Sequence, residues 1–269
     1  MTVLVYDHPL SPYAQKVKIA LAEKGVAFEA RMPEGIGAGS AAGEFASASP
    51  RGEVPALIDG DVALFDSTII CEYIEDRWPE PPLLPASPAE RAQARTIEEV
   101  MDTHYEAINW GLGEVVHFGR GAGAVRERLL TAAAEQTRSW QAWLTARLGD
   151  APWFGGADFG WADLAVAPYL NGSASFDLAP APGPLADWLA RVNERPSVAA
   201  ANDAARAVAF SSEAATATLD AVRGMIERGE FRREYRDHRL EWMIRSGGID
   251  VVTDGLARDN IRFTDAFPA

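Results

Sequence analysis

Cysteine is nearly absent. The 269 residues contain one, Cys71, so no disulfide can form within the chain. That excludes a small disulfide-stapled scaffold and is compatible with a reducing compartment. Lysine is almost as scarce: it occurs only at Lys16, Lys18 and Lys24, on one predicted helix, and arginine supplies nearly all other positive charge. The net charge of −14 argues against nucleic acid or an anionic membrane as the main partner. Long apolar runs are missing too. Nothing approaches the ~18 residues of a transmembrane helix, and the chain reaches a strand by Val3 without a basic-then-apolar leader. No Cys or His grouping suggests a metal site, so no metal is expected. A cytoplasmic protein is the expectation, and a composition rich in Ala, Gly and Arg suggests a bacterial source.

What is present is apolar mass, 48% of the residues, enough for one large domain or two modest ones. Residues 1–78 read as alternating strands and helices. Strand 3–6 leads to a helix over 12–24 that stops at Gly25. Val26 to Arg31 alternates like a strand, and the Gly/Ala-rich stretch Pro33 to Gly43 reads as a mobile loop. Strands at Val54–Ile58 and Val62–Phe65 flank Asp59-Gly60, a strong hairpin signal, and a helix follows from Ser67 to about Arg77. Residues 79–86, with four prolines, read as a linker. Ser87-Pro88-Ala89-Glu90 restarts the chain as a capping box, and 87–210 is helical throughout. Leu164 to Leu170 is apolar nearly all round, as a central buried helix would be. The expected fold is a small α/β N-terminal domain, the linker, and an all-α domain. A helical C-terminal extension over 211–269 follows.

Three sites in the first domain belong together. Ser11 places a hydroxyl where a strand hands over to a helix N-terminus, with free N–H groups and a dipole that favours an anion. Val54-Pro55 is the second. If that bond is cis, the turn leaves the Val54 N–H and C=O facing outward, able to pair with an extended peptide. The third is Asp66-Ser67 at another helix start: the hydroxyl and N–H groups suit a carboxylate, and the aspartate suits an ammonium. The implied ligand is a short peptide-like molecule with its amino-acid end at Asp66-Ser67, its backbone at Val54 and its reactive atom near Ser11.

These stretches resemble the glutathione transferase superfamily. Ser11 to Leu21 looks like its first helix, Gly52-Glu53-Val54-Pro55-Ala56-Leu57 like its cis-proline strand, and Phe65 to Ile70 like its γ-glutamyl-binding turn. Phe154-Gly155-Gly156 through Asp163-Leu164-Ala165 is similar to the folding motif of the family's helical domain. The resemblance spans roughly 1–210. It implies an α/β thioredoxin-like N-terminal domain followed by an all-α helical domain, glutathione as cosubstrate, a small hydrophobic electrophile, a homodimer, and activation of the glutathione thiol by Ser11. A thiol near pKa ~8.5 falls by one or more units beside a helix N-terminus, each unit being about 1.4 kcal/mol. Two departures stand out. No Lys, His or Arg lies in 32–50 to meet the glycine carboxylate, leaving Arg51 as the nearest cation, and Gly160 replaces the Ser or Thr usual three residues before Asp163.

Tyr13 is the rival hydroxyl donor or a pocket residue. Tyr105, Trp110, His117, Phe118 and Arg120 are candidates to line the electrophile pocket, although an aromatic stripe at helical spacing is more often core. Glu98, Glu99 and Asp102 could meet an ammonium across a dimer interface or form a solvated acidic face. Cys71 reads as an inert buried thiol. The extension is expected to fold back on the helical domain and over the pocket mouth. Two rival functions stay open: a non-catalytic binding module of the same fold, as in stringent-starvation-type regulators, and a glutathione-dependent peroxide reductase.

Overall fold

The protein is described here by a computed structural model covering residues 2–34, 43–208 and 213–263. Most of the stretch expected as a loop after Pro33 lies outside these residues.

The first unit is built on a four-stranded sheet. In chain order it runs β1 (Val3–Tyr6), α1 (Pro12–Glu23), β2 (Phe28–Arg31), α2 (Gly43–Ala48), β3 (Ala56–Asp59), β4 (Val62–Phe65) and α3 (Ser67–Arg77). The strand order is β2-β1-β3-β4, with β1 parallel to β2 and antiparallel to β3, and β3 antiparallel to β4. Val5 faces Leu57, which faces Leu64, so the two central strands bury one apolar row. Gly60 at φ +61° makes the β3–β4 turn, a conformation that glycine adopts without steric cost. The expected strand at Val26 begins two residues later, because Val26 donates its N–H to Leu21 and closes the end of α1 instead.

The linker is held from both sides. Glu75 of α3 accepts the N–H groups of Leu83 (3.1 Å) and Leu84 (3.0 Å). Lys24 donates to Pro81 O at 2.7 Å and pairs with Glu75 at 2.5 Å.

The helical part follows: α4 (Pro88–Val100), a π-helical turn (Met101–Tyr105), α5 (Glu106–Val116), α6 (Gly123–Leu148), α7 (Trp161–Ala174), α8 (Pro184–Asn193) and α9 (Pro196–Val208). Every residue of α7 from Trp161 to Leu170 is buried. Asp163 in its first turn accepts the N–H of Gly160 (3.0 Å), the N–H of Phe154 (3.1 Å) and the indole N–H of Trp188 (2.7 Å). Burial outweighs these donors and lifts its carboxyl to about 6. The glycine at position 160 has a steric reason. A Cβ there would lie 2.8 Å from the Leu83 carbonyl oxygen, which also accepts the Trp161 N–H at 2.7 Å. The linker carbonyl occupies the space that a serine or threonine would need.

The extension folds as α10 (Glu213–Glu227), β5 (Arg233–Glu234), α11 (Asp237–Arg245), α12 (Ile249–Ala257) and β6 (Ile261–Arg262), with β5 and β6 paired in parallel. It docks on α5. Trp242 lies over Gly111, Tyr235 packs edge-on against Trp110 (4.7 Å between centroids), and Met243, Val251 and Val252 join Ile108 and Leu112 in a second apolar core. Two carboxylates of α5 anchor it: Glu106 takes Arg239 (2.7 Å) and His238 (3.0 Å), and the fully buried Glu114 takes Arg233 (2.6 Å) and the Tyr235 hydroxyl (2.8 Å).

Candidate active site

One cavity of about 690 Å³ lies where the sheet unit, α4, α5 and the extension meet. Ser11, Val54, Pro55, Asp66 and Ser67 all line it, together with Arg51, Tyr13 and Trp110. The structure therefore brings the three sequence sites to one place.

Ser11 is the N-cap of α1, with φ −77° and ψ 115°, and its Oγ accepts the Ala14 N–H at 3.3 Å. That contact uses a lone pair and leaves the hydroxyl proton available to an acceptor in the cavity. Tyr13 is differently placed. Its hydroxyl donates to Asp102 O at 2.7 Å and lies 3.5 Å from His238 Nε2. Burial, and then the charge of Glu106, holds its pKa well above the ordinary value, so it stays a neutral, already committed donor.

The Val54–Pro55 peptide is cis. Asp66 caps α3 at φ +76°, a region that non-glycine residues rarely occupy and that concentrates at ligand sites. Its Oδ1 accepts the N–H groups of both Thr68 (3.0 Å) and Ile69 (3.3 Å), leaving Oδ2 as an outward acceptor. With those two N–H groups taken, the Ser67 N–H and hydroxyl are the donors left to the cavity in that first turn. The Arg51 guanidinium sits 5.4 Å from the centroid of the Phe65 ring.

Beneath the cavity is a charged hub. Lys16 of α1, fully buried, pairs with Glu98 at 2.6 Å and with Asp102, and donates to Thr68 Oγ1 at 3.3 Å. Burial opposes its charge, but Asp102 and Glu98 outweigh it and raise its pKa. The Trp161 indole N–H donates to Glu98 at 2.5 Å and the Tyr169 hydroxyl to Asp102 at 2.7 Å. Glu98 and Asp102 are thus neither a solvated acidic face nor unengaged carboxylates; they fasten the helix that carries Ser11 to the helical part. Asp102 sits in the π-helical turn, an irregularity often found at functional sites.

The remaining candidates divide. Trp110 lines the cavity. Tyr105 does not: it is fully buried on one stripe with Ile97, Met101 and Ile108, and it shares a hydrogen bond with Ser173 (2.9 Å). His117 packs against Phe176, and burial lowers its pKa. Phe118 and Arg120 border a second hollow of about 570 Å³ beneath the extension. Arg120 is tied to Asn260 at 2.7 and 3.1 Å, so it serves as a strap for the tail. Cys71 is buried, and burial raises its thiol pKa well above the ordinary value. The sequence places the extension over the pocket mouth but does not single out the residues that form the far wall of the cavity, Arg233, Arg236, His238 and Arg239. Its only signal was a dense alternation of arginine and acid over 232–241.

A thioredoxin-like sheet followed by a helical bundle, with a polar cavity at their junction, defines a two-part fold class. The family profile for the Glutathione S-transferase, N-terminal domain matches residues 5–82. The chain is 30% identical over 206 residues to Glutathione S-transferase U28 of Arabidopsis thaliana, covering 74% of this chain and 87% of that one. It is 29% identical over 167 residues to a Stringent starvation protein A homolog of Coxiella burnetii, 62% of this chain and 73% of the relative. A further such homolog, from Haemophilus ducreyi, is matched over only 44% of its length. Among solved structures, the theta class glutathione S-transferase of Xanthomonas axonopodis pv. citri with glutathione bound superposes with a TM-score of 0.62 at 25% identity, over 74% of this chain and 96% of that one. The chain belongs to the glutathione transferase superfamily. Among the described residues, no helix is long and apolar enough to cross a membrane, and no cluster of His, Cys, Asp and Glu is arranged to hold a metal ion.

Proposed function

We propose that the protein is a serine-type glutathione transferase that turns the glutathione thiol into a nucleophile for attack on an electrophilic carbon. The observation that carries this reading is the convergence of Ser11, Val54-Pro55 and Asp66-Ser67 on one cavity. The γ-glutamyl end of glutathione carries one carboxylate and one ammonium, matching the donors of Ser67 and the outward oxygen of Asp66. The Ser11 hydroxyl, its lone pair occupied by Ala14 N–H, donates to the sulfur and stabilises thiolate over thiol. The thiol proton leaves to solvent and the sulfur lone pair forms the C–S bond. A halide or aryloxide then departs with its electron pair, or an activated double bond takes the pair and is protonated.

Ser11→Ala is expected to lower kcat about tenfold or more, with glutathione affinity changed less than about threefold, because one lost thiol pKa unit is ~1.4 kcal/mol. Stopped-flow absorbance of the bound thiolate against pH measures this directly. An unchanged thiol pKa in Ser11→Ala refutes the role. A second reading rests on the similarity to Stringent starvation protein A homologs: a binding module without turnover. It requires that the protein neither be retained on immobilised glutathione nor conjugate a general aryl halide. The transferase reading extends to a cytoplasmic bacterial homodimer, and the exposed apolar side chains of Val62 and Ile69 support the homodimer part of it. A monomer in sedimentation equilibrium would count against that part.

A further inference from the structure

Resting on the glutathione reading, the geometry points to Arg236 of the C-terminal extension as the residue that receives the second carboxylate of the peptide, that of its glycine. Glutathione carries two carboxylates and one ammonium. The Asp66-Ser67 turn matches the ammonium and one carboxylate, so a second anion remains to be neutralised at the other end of the peptide. The segment 32–50, on the sheet unit before Val54, contains no Lys, His or Arg.

Five arginines line the cavity: Arg51 lies over the Phe65 ring, and the other four pair with carboxylates. Arg95 makes a bidentate pair with Glu72 at 2.6 and 2.8 Å. Arg233 is fixed on the buried Glu114 at 2.6 Å. Arg239 forks onto Glu106, itself held down to about 2: burial alone would raise that carboxyl, but the charge of Arg239 and the bond to His238 outweigh it. Arg233 and Arg239 are the nearest cations to the buried Glu114 and Glu106, and Arg95 is held by two bonds to Glu72, so they are poor choices for a ligand that comes and goes.

Arg236 differs. It pairs with Glu53 at 3.1 Å and with Glu234 at 2.8 Å, and its side chain keeps 27% of its surface exposed. Glu53 directly precedes Val54, the backbone position that pairs with the bound peptide. The guanidinium therefore stands next to the backbone on which the peptide lies. Glu53 holds it there through a carboxylate, the same chemical group that the ligand would bring, and a planar guanidinium accepts a carboxylate in bidentate fashion. The peptide carboxylate takes the place of Glu53 on Arg236, and Glu53 turns to solvent. A cation absent from the loop after β2 is supplied from a part of the chain some 180 residues later.

The test compares glutathione with its glycine ethyl ester, which removes only that carboxylate, by calorimetric titration of the full-length protein, Arg236→Gln, Glu53→Gln and Arg51→Gln. Wild type is expected to bind the acid about tenfold more tightly than the ester, a difference of ~1.4 kcal/mol. Arg236→Gln should bring the ratio near one, and Glu53→Gln should keep or raise it by removing the competing carboxylate. If Arg236→Gln merely loosens the extension, acid and ester weaken together, the ratio stays the same, and the inference fails. Collapse of the ratio in Arg51→Gln alone also overturns it, assigning the carboxylate to Arg51. Failure of wild type to bind either form refutes the glutathione reading instead.

Discussion

Gly111 is expected to be intolerant of the smallest possible addition. An ideal Cβ built on it would lie 2.0 Å from the ζ3 carbon of Trp242 and 2.6 Å from two further ring carbons. Carbon atoms sit comfortably at ~3.5–4.0 Å, so the indole must retreat by roughly 1.5 Å or more. Trp242 is 7% exposed, and its indole N–H donates to Gln136 at 3.1 Å, so the ring has no empty volume into which to turn. Overpacking of this kind costs about 1–3 kcal/mol. Against it stands the intrinsic preference of a helix for alanine over glycine, worth ~0.5–1 kcal/mol in the opposite direction. Steric overlap wins, and Gly111→Ala is expected to lower stability by about 1–2 kcal/mol net. At roughly 2–4 °C per kcal/mol for a chain of this size, Tm should fall by several degrees. The same helix supplies the control. At Gly113 the nearest atom to a Cβ is His117 Cδ2 at 4.0 Å, ordinary contact distance. Gly113→Ala should therefore gain stability, with Tm rising by ~2 °C. Calorimetry of the two variants, with limited proteolysis to follow release of the extension, checks the pair. Equal shifts of the same sign in both variants would refute the docking of Trp242 on α5.

Three further outcomes follow from the buried charges and the linker. Lys16→Met leaves Glu98 and Asp102 without their counter-charge and should cost about 3–5 kcal/mol by urea unfolding, with partial recovery when Glu98→Gln and Asp102→Asn are added. Glu106 drops from an ordinary 4.5 to about 2 in the folded protein: burial acts to raise it, but Arg239 and His238 prevail. A depressed carboxyl stabilises the fold above its unfolded value, and that stability, on the order of 3 kcal/mol, is lost as pH falls from about 4.5 towards 2. Tail protection from protease should decline over that window in wild type and lose this dependence in Glu106→Gln. Gly160→Ser, the residue usual in the family, should destabilise by ~1–3 kcal/mol because its Cβ meets the Leu83 carbonyl, and differential scanning fluorimetry is sufficient to see it.

Much of the sheet unit could be read directly because its signals are local. A proline at the first helical position, Asp-Gly at a hairpin, and Asp66 before Ser67 each act within a few residues of where they stand. The buried charges were illegible for the opposite reason. Periodicity counts apolar side chains, so Lys16, Glu98 and Asp102 score as surface residues, and only the meeting of α1, α4 and α7 shows that each has a buried partner. Tyr105 falls at the same helical spacing as the buried Ile97, Met101 and Ile108, so periodicity alone does not separate a core aromatic from one that lines the cavity. The extension is expected over the pocket mouth, but no local pattern singles out Arg236 in it: the adjoining β5 is two residues long, and its partner Glu53 lies some 180 residues earlier.

The anchoring of the extension on Glu106 and Glu114 also has a consequence in time. A ribosome releases the sheet unit and the helices through α9 first, and α5 emerges with both carboxylates still waiting for Arg239, Arg233 and Tyr235. At about 5–20 residues per second, those partners arrive several seconds after α5 itself. Until then a nascent chain owns Ser11, Val54 and Ser67 but lacks the cavity wall that carries Arg233, Arg236, His238 and Arg239. The part that encloses the site is synthesised after the site itself.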